Sequence, residues 1–410
     1  MIQKFQENDY EIVNFNEIAD IYVINTCTVT SISDRKSRQF LRQAKKNNRN
    51  SIVVAAGCYV QVAKNELDKI EEIDLCIGTN EKSKIVEIVE EFISNKNNTE
   101  IDDVFKTPEY SDFGSITYTE KTRAVIKVQD GCDRFCSYCI IPYARGRVRS
   151  RKPDSVISEI SKIAKDGIKE VVITGIHVAS YGKDFDNEYR LIDLLEEINN
   201  INGIERIRLG SIEPLMITEE FIKRSLKLTK LCHHFHLSLQ SGCTETLKRM
   251  NRRYTISEFE EIVNRIRKYY DDAILTTDII VGFPGETEEE FNETYEFLSK
   301  IKFYKMHVFK YSVRKGTKAA EMENQIAPEK KEERSNKLLK LSDENEKEYL
   351  KLNINKDVKV LFEEKHDNYW KGHTSNYLVV KVETDEDLTN KIENVKIESV
   401  DGFELQGKSV

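Results

Sequence analysis

Between Arg123 and Tyr311 the chain repeats one pattern six times. A short β-rich run comes first, then an amphipathic helical stretch. The runs fall at 124–129, 170–174, 205–210, 233–239, 274–281 and 304–311. Helical periodicity fills 153–166, 190–199, 218–228, 256–270 and 287–300. Strands joined through helices must lie parallel, because a parallel pair needs a long crossover. Six such units predict a parallel (β/α)6 barrel, open or closed, whose working face is the C-terminal end of its strands.

The flanks read differently. Before the barrel, DIYVIN (20–25), SIVVAA (51–56) and 74–78 read as strands, with helices over 33–46 and 82–94. These predict a smaller parallel α/β layer. The polar stretch 95–121 reads as a linker. Pro328–Leu352 reads as a charged connecting helix. Beyond Asn353, short runs at 358–362, 377–382 and 395–400 predict a small all-β, OB-like module. The expected domains are 1–115, 118–350 and 353–410, an α/β fold with an all-β appendage.

Eight Cys in 410 residues are too few for a disulfide scaffold. Three of them, Cys132, Cys136 and Cys139, sit within eight residues directly after the first barrel strand. Three thiolates on one loop can hold three irons of a [4Fe–4S] cube and leave the fourth iron open for a chelating ligand. The alternative is a structural zinc loop, which needs a fourth nearby ligand. No second CxxC follows. With 33% charged residues and a net charge of −8, a generally basic nucleic-acid binder is excluded, though a local basic patch is not. No apolar run reaches the roughly 18–20 residues of a membrane span. The polar start MIQKFQENDYEIV is not a signal peptide. A cytoplasmic protein is expected.

CDRFCSYC resembles the CxxxCxxC signature of radical S-adenosylmethionine (SAM) enzymes. CIIPYARGRVRSR (139–151), TGIHVASYG (174–182), RLGSIEP (208–214), HLSLQSG (236–242), DIIVGFPGET (278–287) and FKYSVRKGT (309–317) resemble the methylthiotransferase branch of that family. INTCTVT (24–30) and AGCYVQ (56–61) are similar to its auxiliary-cluster domain, and the C-terminal module to its TRAM domain. The combination of TGIH, GSIEP and NTCTVT is most similar to the tRNA N6-threonylcarbamoyladenosine (t6A) methylthiotransferases.

The resemblance implies a partial TIM-like barrel. It also implies a radical SAM transferase that methylthiolates C2 of t6A beside the anticodon, at position 37. Cys132, Cys136 and Cys139 would ligate the SAM-binding [4Fe–4S] cluster. Tyr138 would pack near the SAM adenine, with plain core packing as the alternative. Gly175 would meet the SAM amino group, or mark an ordinary βα turn. Glu213 and Gln240 would hold polar parts of SAM, and Gly282 in VGFPGE would lie near the adenine. Cys27 and Cys58 would ligate a second, auxiliary [4Fe–4S] cluster. tRNA, through its anticodon loop, is the implied partner. An electron donor such as flavodoxin or ferredoxin is implied too, together with a sulfur donor of unstated identity. The implied state is monomeric.

Two departures from the family pattern stand out. The family's first auxiliary-domain Cys lies in a TLGC-type loop, and this sequence begins beyond it. The expectation is a truncated N-terminus and an auxiliary cluster short of one ligand. Cys76 on DLCIG reads as a core thiol, with substitution for that ligand as the alternative. Cys232 and Cys243 read as structural. Val313 stands where YSVRKGT is expected to carry Pro, a local loop change. Other readings stay open: methylthiolation of isopentenyladenosine or of a ribosomal-protein aspartate, or a catalytically impaired metal-binding RNA-associated protein.

Three basic runs are candidate phosphate contacts, or simply solvated faces. They are Arg35–Arg49, Arg145–Lys152 and Lys248–Arg253. In the second, Arg recurs at every other position, which would make one side of an extended segment cationic. Residues 353–410 carry eight Lys and twelve acidic residues. That balance suits an RNA-gripping module poorly and a protein substrate better. Tyr369, Trp370 and Tyr377 are either stacking surfaces or barrel core.

Overall fold

A computed structural model describes residues 1–95, 101–107, 109–112, 114 and 122–410. Two compact units emerge. The first takes the N-terminal region with Asp130–Arg149 and Ser312–Glu321. The second takes Ser150–Tyr311 and Met322–Val410, with the strand that leads up to Gln129.

The first unit is built on a three-stranded parallel sheet of β1 (Ile21–Thr26), β2 (Ile52–Gly57) and β3 (Leu75–Ile77). β2 (IVVAAG) is apolar on both faces because both are covered. On one face Val54, Ala56, Leu75 and Ile77 pack on the helix Ile85–Asn95. On the other, Tyr22, Ile24, Val53 and Ala55 meet Leu41 and Ala44 of the helix Ser31–Asn47, with Tyr59, Val60 and Leu67 of Cys58–Leu67. Thr30 caps Ser31–Asn47 by accepting from the Ser33 N–H. The expected linker 95–121 lies partly outside the described residues. Its described part is docked on the unit: Asp102 N–H donates to Glu81, and Val104 is buried.

The second unit carries the barrel. β4 (Arg123–Asp130), β5 (Arg149–Ser150), β6 (Glu170–Gly175) and β7 (Arg206–Leu209) form one sheet in the order β5-β4-β6-β7. β8 (His234–Gln240), β9 (Ile274–Val281) and β10 (Lys305–Lys310) form another in the order β10-β9-β8. Parallel bridges Ile207↔Leu231 and Ile212↔Leu237 join β7 to β8. Six long strands thus run parallel in chain order, as the sequence pattern requires, and the barrel stays open. The edge strand β10 is covered by the helix Pro328–Lys351, whose Ser342 hydroxyl accepts from the Met306 N–H. That helix buries Arg334, Ser335, Ser342, Asn345 and Glu346 beside its leucines, so its packed stripe is largely polar. No helix among the described residues is long and apolar enough to cross a membrane.

β11 (Asp357–His366), β12 (Tyr369–Thr374), β13 (Val379–Glu383), β14 (Ile392–Asp401) and β15 (Glu404–Ser409) close into a five-stranded barrel in the order β11-β12-β13-β15-β14. β12 and β15 escaped the sequence pattern. Gly372 and Gly407 interrupt them where a Cβ would strike the backbone of the facing strand. Trp370 lies in this core, with 3% exposure. Tyr377 does not: its ring stacks on His373 at 4.7 Å and lies under the Arg208 guanidinium at 4.4 Å.

Candidate functional site

In the first unit, β1 and β2 are paired through Thr26↔Gly57. Cys27 and Cys58 are the next residues on each strand, so both emerge at the same sheet end. Cys27 is exposed and Cys58 buried. Cys76 sits on β3 opposite Ala55, three residues short of Cys58. At about 3.3 Å per residue it lies ~10 Å back along the sheet. There it is half-buried against the core, and burial pushes its thiol up to about 11.

The three-Cys loop begins where β4 ends. Gly131 has φ +72°, and a Cβ there would lie 1.7 Å from the Arg147 carbonyl oxygen, so only glycine fits. Backbone bonds set the loop's shape. Cys132 N–H donates to the Gly146 oxygen at 3.0 Å, and Cys139 N–H to the Cys136 oxygen at 2.9 Å. Ala319 N–H holds the Ser137 oxygen at 2.8 Å. Cys132, Cys136 and Cys139 stand outside any disulfide, each half-buried. Tyr138 is half-buried too. Burial pushes the Cys132 thiol up, with the Arg134 N–H opposing. A metal that takes its proton reverses that preference.

Among the described residues no three Cys, His, Asp or Glu converge as ligands round one ion. A structural zinc needs a fourth ligand to close its tetrahedron. A cubane takes three thiolates and leaves its fourth iron open. The donor set, three thiols on one backbone-fixed loop and outside any disulfide, fits the cluster.

The basic run 145–152 differs from its reading as a cationic face. Arg145 Nε donates to Cys58 Sγ at 3.0 Å, and its Nη1 lies 3.3 Å from Asp130 Oδ2. Arg149 is buried, donating to Asn80 Oδ1 and to the Arg145 carbonyl oxygen. Arg151 is buried on Glu159. Only Arg147 and Lys152 are exposed, and Arg147 leans on Asp133. These side chains are spent on internal partners because the segment folds inward after Gly146. The third run is also mostly engaged. Lys248 pairs with Glu245, Arg249 with Glu290 and Arg252 with Glu213. On the helix Ser31–Asn47 and just past it, Arg35, Lys36, Lys46 and Arg49 are exposed and make no ion pair among the described residues.

In the second unit the strand ends carry a polar network. Gly175 ends β6 opposite Gln129, and a Cβ there would meet the Gln129 side chain at 2.9 Å. Gln129 Oε1 accepts from the His177 N–H at 2.7 Å. Glu213 is buried and receives Arg252 Nη2 at 3.0 Å, with His177 Nε2 at 3.3 Å. Ile212 N–H donates to the His236 oxygen, and Ser238 N–H donates to the Ile212 oxygen, threading GSIEP against β8. Gln240 ends β8 with φ +73°, a costly conformation for a side-chain-bearing residue and one that clusters at functional sites. Gly282 follows β9 with φ +69°, and its N–H donates to Glu286 Oε2 at 2.6 Å.

Residue patterns assigned no role to Gln129 or His177, and gave Arg252 to phosphate. Their signal was position alone: Gln129 and His177 lie on or just past a strand end, and Arg252 follows the helix Thr244–Arg249.

Comparison with known proteins agrees with this architecture. A profile described as the radical SAM superfamily matches residues 126–298, and one described as the uncharacterized protein family UPF0004 matches 1–78. The threonylcarbamoyladenosine tRNA methylthiotransferase MtaB of Bacillus subtilis is 40% identical over 96% of this chain and 89% of its own. Its Aquifex aeolicus namesake is 42% identical over 93% and 92%. A tRNA-2-methylthio-N(6)-dimethylallyladenosine synthase of Acetivibrio thermocellus is 36% identical over 97% and 84%. Among solved structures, the radical SAM methyltransferase TsrM from Kitasatospora setae superimposes with a TM-score of 0.58 at 17% identity. It covers 78% of this chain and 68% of its own. That likeness concerns the fold.

Proposed function

The chain belongs to the radical SAM methylthiotransferase family, and we propose that it transfers a methylthio group to C2 of N6-threonylcarbamoyladenosine beside the anticodon of tRNA. The carrying observation is 40–42% identity, over nearly the whole chain, to two enzymes of that name. Relatives acting on dimethylallyladenosine stand lower, at 36%. The impaired, non-enzymatic reading has no comparable support.

When bound, the clusters and SAM supply the electron, the methyl and sulfur atoms and the hydrogen-abstracting radical. The chain's own residues hold and orient. Cys132, Cys136 and Cys139 are the ligands of the SAM-binding cluster, and Tyr138 packs near the SAM adenine. Cys27 and Cys58 are ligands of the auxiliary cluster. Gly175, Glu213, Gln240 and Gly282 are the strand-end contacts for SAM. Glu213 acts there as part of a rigid set with His177 and Arg252. The C-terminal barrel is a TRAM module. The enzyme works in the cytoplasm on tRNA, with a small electron-transfer protein as reductant.

The test is anaerobic incubation of the reconstituted chain with SAM, a reductant and t6A-bearing tRNA, followed by nucleoside mass spectrometry. The methylthio nucleoside is expected alongside 5′-deoxyadenosine. Cys132→Ala should abolish both. Cys58→Ala should abolish the methylthio product and spare 5′-deoxyadenosine. A wild-type chain that leaves t6A unchanged but methylthiolates isopentenyladenosine-bearing tRNA in the same assay would refute the substrate.

A further inference from the structure

The side chain of Arg145 has no role in the reading above, yet its placement is tightly determined. It closes the short helix Ile141–Arg145, just past the three-Cys loop. The backbone beneath it is pinned twice. Thr79 Oγ1 donates to the Ala144 oxygen at 2.9 Å, and Arg149 Nη2 to the Arg145 oxygen at 2.7 Å. The guanidinium is then aimed by Asp130, the residue where β4 ends, at 3.3 Å. What remains of its donor fork points at Cys58 Sγ, 3.0 Å from Nε. Arg145 is 18% and Asp130 11% exposed, and Cys58 is 8% exposed. Water therefore screens this contact little. One cation thus ties the β4 end, which opens the three-Cys loop, to the sulfur at the β2 end.

We propose that Arg145 is a positioning residue that donates an N–H···S hydrogen bond to the Cys58 sulfur and raises the reduction potential of the iron–sulfur centre that Cys58 ligates. The inference rests on the reading of Cys58 as an auxiliary-cluster ligand, and on that centre assembling with Cys27 and Cys58 as the cysteines at this sheet end. Its physical basis is general. A donor to a ligand sulfur withdraws negative charge from the iron it binds, and a nearby cation favours the more negative, reduced state. A guanidinium suits this because it stays charged and presents several donors in one plane. One arm can be fixed by Asp130 while another serves sulfur. Lysine offers a charge without the fork.

The experiment uses the full chain with Cys132, Cys136 and Cys139 all replaced by Ala, so that only the second centre is observed. After anaerobic reconstitution, iron and sulfide are counted and the centre is titrated by EPR against redox mediators. Iron that is retained here and lost on adding Cys58→Ala supports Cys58 as a ligand. Absence of iron before Arg145 is touched overturns that reading, and the inference with it.

In the iron-retaining chain, Arg145→Met is expected to lower the reduced-to-oxidised ratio at a fixed potential by about tenfold, the worth of one charge-assisted hydrogen bond. Arg145→Lys should fall between, and Asp130→Asn should move the ratio the same way by less. A purely structural Arg145 would lower the melting temperature and leave the potential unmoved. That result, or an Arg145→Met titration matching the parent, overturns the proposal. If Arg145→Met fails to fold, the Lys and Asn variants decide by the same readout.

Discussion

At the scale of single residues, eight cysteines share one chemistry and differ by environment. Cys27 is exposed at a strand end. Cys76 and Cys232 are thiols that burial pushes up to about 11. Since the thiolate is the nucleophile, the metal-free chain treated with iodoacetamide at pH 8 should alkylate Cys27 first. Cys76 and Cys232 should stay unmodified until it unfolds, as read by peptide mass spectrometry. Fast labelling of Cys76 would show it available as a ligand, against its core placement. Gly131 makes a sharper demand. Ala there would set its Cβ 1.7 Å from the Arg147 carbonyl oxygen, and φ +72° disfavours it besides. The Gly131→Ala chain should therefore bind less iron at the three-Cys loop than wild type, with the iron count as the check. Arg314 belongs to the same class. It is buried, donating to Thr28 Oγ1 at 2.5 Å and pairing with Asp34 at 2.7 Å, and so anchors the loop beside Cys27.

Elements add what single residues do not show. The strands of the barrel begin at a buried charge cluster. Glu170 opens β6, with Arg208 Nε at 2.8 Å and Arg206 Nη1 at 3.7 Å, while Arg123 pairs with Glu363 of β11. Burial alone would raise the Glu170 carboxyl, but Arg208, Arg123 and Arg206 hold it below the usual carboxylate range. A depressed carboxylate stabilises the fold at pH above its unfolded value and loses that contribution as acid protonates it. Glu170→Gln should cost about 3–5 kcal/mol, because it leaves buried arginines without their counter-charge. It should also flatten the fall of stability below about pH 4, where the unfolded carboxylate titrates. Chemical denaturation at two pH values measures both.

This cluster also shows where sequence reading stops. Arg123, Glu170, Arg206 and Arg208 look like ordinary polar positions on strands, and their convergence depends on barrel register. The six barrel strands were legible because apolar runs and helical periods alternate without exception. Cys27 and Cys58 were legible as a pair because each directly follows such a run. The run 145–152 misled because alternation describes an extended segment. Here residues 141–145 form a helix, and Gly146 at φ +75° turns the chain inward. β12 and β15 were missed because glycine and lysine dilute their apolar pattern, while a closed barrel needs only one face buried.

For the whole molecule the governing fact is sign. A chain of net charge −8 must bind a polyanion through a local excess of cations. The C-terminal barrel, with eight Lys against twelve acids, is a poor source of it. The runs after Arg145 and Lys248 are largely consumed by internal pairs. Of the three basic runs, the one that keeps a row of exposed cations is the first, with Arg35, Lys36, Lys46 and Arg49 on and just beyond the helix that follows Cys27. Counterion release makes each phosphate contact visible as salt dependence, about 0.7 in the log–log slope per contact on single-stranded RNA. If this row grips the loop that carries the target base, changing all four to Ser should weaken tRNA binding and reduce the slope by about 2–3, as read by fluorescence anisotropy across salt concentrations. The same four changes on the helix's solvent side should leave the unfolding free energy within about 1 kcal/mol of wild type, since surface charges contribute little to stability. An unchanged slope would move the RNA contact elsewhere. The cations buried in the barrel could not take its place, because their partners are internal carboxylates rather than solvent.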